Sequence, residues 1–366
     1  MLSKSLRTAV AALLLSTATV GVTMLATTVA AEAAARASVA KYLNEAIRQA
    51  SAGNLGAARA TVGQAEGVGG LTAGDREAID KVKEYISQKS NATTGVAGLY
   101  TAGKYSEVIA AGRGKSDAQT MQLVAQSYYL TRQFAECTRY IRNSFGNGAG
   151  EQILTLQMRC AYETQDNESM RMALEQLVQR TNKPEYWAQL LSTAEGTKGL
   201  SDHQTLDIYR LKLLTGSLKG ADQYMLLAQL ALQLGFAAES QNAIQKGIQA
   251  KLLAGDRVNR LLAMAGGQAG QNAAKAGAIA ATGNGDALVK LGEDLWGQGK
   301  FADALKFIQQ GIAKGVSDKS NAQIRLGLAY LGAGQKGAAV SAFSSADGDA
   351  KAKIDGHLWE IYARTH

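Results

Sequence analysis

A turn-like phrase recurs along this chain: GKFAD at 299–303, GKYSE at 103–107, RQFAE at 132–136 and a worn GNLGA at 53–57. Each copy is a pair of turn residues followed by an aromatic or Leu, a small residue and usually an acid. On both sides the apolar residues return at spacings of three and four, the period of a helix with one buried face. The phrase therefore falls where the chain reverses between two short helices. Short helices paired in this way must stack on neighbouring pairs to bury a core.

The segments around the phrase align with one another. LGEDLWGQGKFADALKFIQQGI places Leu291, Gly292, Leu295, Phe301, Ala304, Ile308 and Gly311 on one template, and LGLAYLGAGQKGAAVSAFSSA repeats it with Leu326, Gly327, Tyr330, Ala339, Phe343 and Ala346, 35 residues later. LAQLALQLGFAAESQNAIQKGI fits 64 residues upstream of the first, and VAQSYYLTRQFAECTRYI fits again through Ala125, Tyr128, Phe134, Cys137 and Ile141. Composition agrees: 40 Gly against a single Pro, Pro184, suits helices, which exclude Pro from their interiors. With 46% apolar but only 6% aromatic residues, the helices are expected to pack closely through small side chains.

This pattern resembles the tetratricopeptide repeat (TPR), a helix-turn-helix unit of about 34 residues. Gly327, Tyr330, Ala339, Phe343 and Ala346 match it best, and the Pro expected near the end of each unit is mostly missing. The resemblance implies an all-α fold, a right-handed α-solenoid of TPR-like helical hairpins. Helical pairs are expected at 37–66, 91–112, 116–145, 150–180, 184–216, 220–250, 285–315 and 320–346, with KAKIDGHLWEIYARTH as a closing helix. Residues 67–90 read as a loop and a solvated helix. The expected organisation is a signal peptide at 1–33, an N-terminal array at 34–254, an irregular Gly/Ala-rich pair at 255–284 that bends or joins the halves, and C-terminal repeats at 285–366.

The signal-peptide reading rests on Lys4 and Arg7, an apolar run from Thr8, and the small-x-small site Ala31-Glu32-Ala33. Its alternative is a membrane anchor. Export to the bacterial periplasm or beyond is the expectation. The formal charge is +8, and removing residues 1–33 takes away two bases and one acid. The remaining bases are scattered, with no run of five, so the charge reads as solvated helix faces. Nucleic-acid binding would need a concentrated basic stripe with interleaved aromatics. Membrane contact is expected only through the signal segment, if it is retained. Cys137 and Cys160 fall on neighbouring helices of adjacent units, where they form either a disulfide or two small buried thiols.

Catalytic patterns are weak. His203, His357 and His366 lie far apart, without metal-ligand spacing, so neither a metal nor another cofactor is expected. GRGKS at 112–116 lacks the upstream Gly of a phosphate loop and reads as an inter-repeat loop. Ser201-Asp202-His203 are adjacent and cannot form a relay, so Ser201 or Asp202 is expected to cap a helix. Glu293 and Asp294 read as ordinary surface charges. The chain is therefore expected not to be an enzyme. Mapped through the resemblance, the partner-facing positions on the concave side are Gln122, Gln126, Tyr129, Met158, Tyr162, Met225, Gln229 and Trp296, with core packing as the alternative for Met158 and Met225. The function expected is an envelope scaffold for a protein or peptide; the alternative is an exopolysaccharide- or cell-wall-associated protein that binds glycan or its synthesis and export machinery.

Overall fold

The computed structural model describes residues 35–366, so the expected signal segment at 1–33 lies outside the described residues. They form nineteen α-helices, one 3-10 turn and no strand, in two compact units that divide at Thr131 and Arg132. The first contains α1 (Ala37–Ser51), α2 (Leu55–Glu66), α3 (Ala73–Thr94), α4 (Val96–Thr101), α5 (Tyr105–Gly112) and α6 (Ala118–Leu130). The second contains α7 (Phe134–Phe145), α8 (Glu151–Glu163), α9 (Asn167–Thr181), α10 (Pro184–Glu195), α11 (Asp202–Leu214), α12 (Ala221–Leu234) and α13 (Ala237–Gln249). It continues through α14 (Asp256–Thr282), α15 (Gly285–Gly297), α16 (Phe301–Lys314), α17 (Lys319–Gly332), α18 (Lys336–Ser344) and α19 (Ala350–Thr365). The architecture is an all-α, solenoid-like array of TPR-like hairpins.

The recurring phrase has one backbone conformation. Its first turn residue is left-handed, at Gly53 (φ 82°), Gly103 (74°), Gly299 (75°) and Gly334 (75°), and Arg132 (59°) and Gln165 (56°) occupy the same slot. The next residue, such as Lys104 or Lys300, sits near φ −88°, ψ +60° and opens the following helix. Its amide reaches back to close the preceding helix: Lys104 N donates to Leu99 O and Lys300 N to Leu295 O, both at 2.9 Å, and Gln335 N to Tyr330 O at 2.8 Å. This long reach past a left-handed residue satisfies carbonyls that the helix end would otherwise strand. The two helices of each hairpin then approach through small residues. A Cβ on Gly292 would lie 2.8 Å from the Ala304 carbonyl oxygen, so α15 and α16 can touch only if that position is Gly.

The first unit is built from consecutive helices. Val39, Leu43 and Ala46 of α1, Ala58 and Val62 of α2, and Ala78, Ile79, Val82 and Ile86 of α3 share one core. Thus α3, expected as a solvated helix, instead buries a full apolar stripe. Its entry is fixed by Asp75, which accepts from the Thr72 amide and the Arg36 amide at 2.9 Å and from Arg36 Nε at 2.8 Å. Those backbone donors hold the Asp75 carboxyl well below the usual carboxylate range.

The second unit does not stop at neighbour contacts. Helix α19 packs against α18 and α17, and also against α9 and α11 from far earlier in the chain. Leu358 and Trp359 of α19 therefore share a core with Leu174 of α9, Trp187 and Leu190 of α10 and Phe343 of α18. Fully burying each such side chain contributes about 1.5–3 kcal/mol. The Gly/Ala-rich segment, expected as an irregular pair between two halves, is the single 27-residue helix α14 within this unit. Cys137 on α7 and Cys160 on α8 are joined by a disulfide, both fully buried, with Cα atoms 6.2 Å apart.

Candidate partner-binding site and the buried charge hub

The sequence LDIYRLKLL gives α11 large apolar residues on every side, and Leu206 to Lys212 are all buried. Asp207 and Arg210 are carried inside with them, one turn apart. Arg210 grips Glu239 of α13 with two parallel bonds, Nε to Oε1 at 2.7 Å and Nη2 to Oε2 at 2.6 Å. Its Nη1 donates to Asp207 Oδ1 and to Glu293 Oε1 of α15, each at 2.8 Å. Arg325 of α17 also binds Asp207, Nη1 to Oδ1 at 2.7 Å, approaches Glu293 at 2.9 Å, and is oriented by Asn321 Oδ1. The Arg210 guanidinium lies over the ring of Phe236, 5.4 Å away, and over that of Trp296, 5.2 Å away. Four helices are thus tied through two guanidinium groups.

A fifth helix brings Asp355 of α19, 4% exposed, whose two carboxyl oxygens accept no hydrogen bond. Burial and the neighbouring Asp207 charge push its pKa well above the ordinary value, which favours the neutral acid, the form that can donate to Asp207. Burial opposes charge on Asp207 too, but Arg325 and Arg210 outweigh it and hold that carboxyl below the ordinary value. His203, half-buried and edge-on to Phe236, is kept toward its neutral form by burial and by Arg325. Asp294 is raised by burial and accepts from Gln298 Nε2 at 3.0 Å and Asn272 Nδ2 at 3.4 Å. Glu293 and Asp294, expected on the surface, are therefore 3% and 8% exposed. The inward orientation of α15 is the reason.

Ser201 caps α11 with a reciprocal bond pair to Gln204. GRGKS spans the end of α5 and the loop before α6. Among the described residues no three His, Cys, Asp or Glu side chains are grouped to hold a metal.

The eight expected partner-facing residues separate by environment. In the first unit Gln122, Gln126 and Tyr129 are half-buried and share one stripe of α6. In the second unit Tyr162 is 54% exposed on α8 and Gln229 is exposed on α12. Met158 and Met225 pack against buried cores, and Trp296 lies under Arg210 and against two cores. Those three side chains serve packing, and the α8, α12 and α15 positions that carry them are turned partly inward.

Sequence reasoning missed an open groove of about 640 Å³ at α9, α18 and α19, lined by Phe343 and Ile354 together with Arg171, Lys353 and His357. Glu175 organises this lining: it is ion-paired with Arg171, and His357 Nε2 lies 3.3 Å from its Oε1. That hydrogen bond to Glu175 raises the His357 pKa. For Glu175, burial works toward the neutral form, but His357 and Arg171 prevail and its pKa falls.

No family model matches the chain, and no curated protein matches it. Solved structures do. The TPR domain of P58(IPK) aligns over 88% of this chain and 97% of its own, at 11% identity and a TM-score of 0.26. The APC/C hetero-tetramer Cut9-Hcn1 aligns over 82% of this chain and 58% of that chain, at 12% identity and a TM-score of 0.22. The class of the protein, an all-α array of TPR-like hairpins, rests on its own turns and helix contacts.

Proposed function

We propose that the protein is a non-catalytic scaffold of the bacterial cell envelope that holds a protein or peptide partner on exposed faces of its hairpins. The observation that carries this reading is the fate of the acids and arginines. Asp207, Glu239, Glu293, Arg210 and Arg325 are committed to one another inside the second unit, while Tyr162 of α8 and Gln229 of α12 are exposed and Gln122, Gln126 and Tyr129 of α6 are half-buried. Tyr combines flat apolar area with a hydrogen-bonding tip, and Gln adapts to backbone amides, which suits an extended peptide. The leader-like residues 1–33 and the Cys137–Cys160 disulfide support an exported, oxidising location.

The test is a pull-down from envelope extract, followed by identification and re-binding of the purified partner. Wild type is expected to retain a stoichiometric protein that Tyr129→Ala combined with Tyr162→Ala loses, on the order of tenfold or more in affinity if these rings are anchors. Unchanged helicity and melting of the double variant would exclude misfolding. Retention of a glycan without any protein would overturn the reading.

A further inference from the structure

Four bases follow one another along the end of α13, the loop behind it and the start of α14. Lys246, Lys251, Arg257 and Arg260 are all exposed, and none has an ion-pair partner among the described residues. Asp256 is the one acid among them. The same stretch carries Ile248, Leu252 and Met264, which are 40%, 42% and 63% exposed.

The apolar exposure is built in by the loop. Leu253, 5% exposed, is driven into the core against Gly247, where a Cβ would lie 2.6 Å from its Cδ1. The Leu252 and Leu253 amides both donate to Gly247 O, at 2.9 and 3.1 Å, and Lys251 is left-handed at φ 58°. With Leu253 anchored inward, its neighbours Leu252 and Lys251 are held outward on a short, hydrogen-bonded turn. On α14, Val258 and Ala265 face the core, whereas Arg257, Arg260 and Met264 follow one another at helical spacing on the exposed side.

The hub biases the charge of this whole unit. The second unit carries 26 basic and 22 acidic residues. Asp207, Glu239, Glu293, Asp294 and Asp355 are drawn inside against Arg210, Lys212 and Arg325, which leaves 23 bases facing 17 acids elsewhere in the unit. No described helix is long and apolar enough to cross a membrane, so what α13 and α14 offer is a surface.

We propose that this corner docks on an anionic lipid surface, with the four bases among the headgroups and Ile248, Leu252 and Met264 dipping into the interface. Single apolar side chains interleaved with Lys and Arg match the layered chemistry of a bilayer surface, where charge and apolar insertion act together.

The test uses the full chain and compares binding to phosphatidylcholine vesicles with and without phosphatidylglycerol. The increment due to the anionic lipid is the readout, because the apolar residues near the N-terminus contribute to both. With each base near an anionic surface worth about 1 kcal/mol, K246Q/K251Q/R257Q/R260Q is expected to lose roughly a hundred- to thousandfold of that increment. The wild-type increment should also fall with added salt. Leu252→Ser with Met264→Ser should weaken binding to anionic vesicles while leaving its salt dependence in place. A control of equal charge, K275Q/K300Q/K306Q/K319Q, should keep most of the increment. The proposal is overturned if the control loses as much as the first variant, or if wild type shows no anionic increment. Binding to polyglutamate through the same four bases, without a lipid increment, would assign the corner to an acidic protein and equally overturn it.

Discussion

The two compact units use the same hairpin turn, at Gly53 and Gly103 in one and at Gly299 and Gly334 in the other, yet their interiors are held in opposite ways. The core around α1 to α3 is aliphatic and built from consecutive helices, and its buried acid Asp75 is answered by Thr72 at its own helix start and by Arg36 just before α1. The interior around α11 is ionic and long-range: Arg210 meets Glu293 across 83 residues of sequence, and Arg325 meets Asp207 across 118. A repeat chain can thus be stacked neighbour on neighbour, or welded across several hairpins by a few charges. The welded unit should unfold more cooperatively than nearest-neighbour stacking predicts.

The strongest way to break this contrast is Asp207→Ala. It would leave Arg210 and Arg325 short of a shared buried partner, and losing one member of such a network costs about 3–5 kcal/mol. Hydrogen exchange should show α11, α13, α15 and α17 losing protection together while α1 to α3 keep theirs. Loss of protection confined to α11 would show that the hub does not couple the hairpins.

Reducing the Cys137–Cys160 bond comes next. It closes a loop of 23 residues, so chain entropy gives about 3 kcal/mol. Calorimetry with and without reductant should lower the melting of the second unit and leave the first unchanged. An equal drop in both units would erase the distinction between them.

The smallest effect separates the units by pH. The Asp75 carboxyl is depressed, so its stabilisation is present above the unfolded pKa near 3.9 and is lost as pH falls through the folded value. Asp355 is raised, so its stabilisation is complete below about 3.9 and is lost as pH rises through its folded value. Asp355→Asn, which mimics the neutral acid, should therefore stabilise the protein at neutral pH, with the gain shrinking toward pH 4. Asp75→Asn should destabilise it at neutral pH, with the loss shrinking in acid. Denaturant midpoints across pH would show two differences of opposite sign, and two of the same sign would refute the assignment.

The parts of this fold that were legible in the sequence are the parts made by local forces. The turn pair, the apolar spacing and the small residues at Gly292 and Ala304 act within one hairpin, so the pairs α8–α9, α10–α11, α12–α13, α15–α16 and α17–α18 could be drawn from them. The stripe Ala78, Ile79, Val82 and Ile86 was equally local but was outweighed by the charges of DREAIDKVKEY. The hub could not be read from spacing, because its members are brought together only when α17 and α19 return to α11. One signal was present: LDIYRLKLL is apolar all round, and a helix buried on every side must bury its Asp and Arg too. Among the candidate site residues, Tyr162 and Gln229 were placed by repeat position alone. Trp296 had the same warrant, but Arg210 claimed its ring.

The hub also acts as a ruler. Helices α11, α13, α15, α17 and α19 must present their charged side chains at one point, so removing or duplicating a hairpin between Asp207 and Asp355 would carry Glu239, Glu293 or Arg325 out of register. The number of hairpins in that stretch is thereby fixed by side-chain chemistry. In the first unit, whose core asks only for the next apolar face, the count is free to drift.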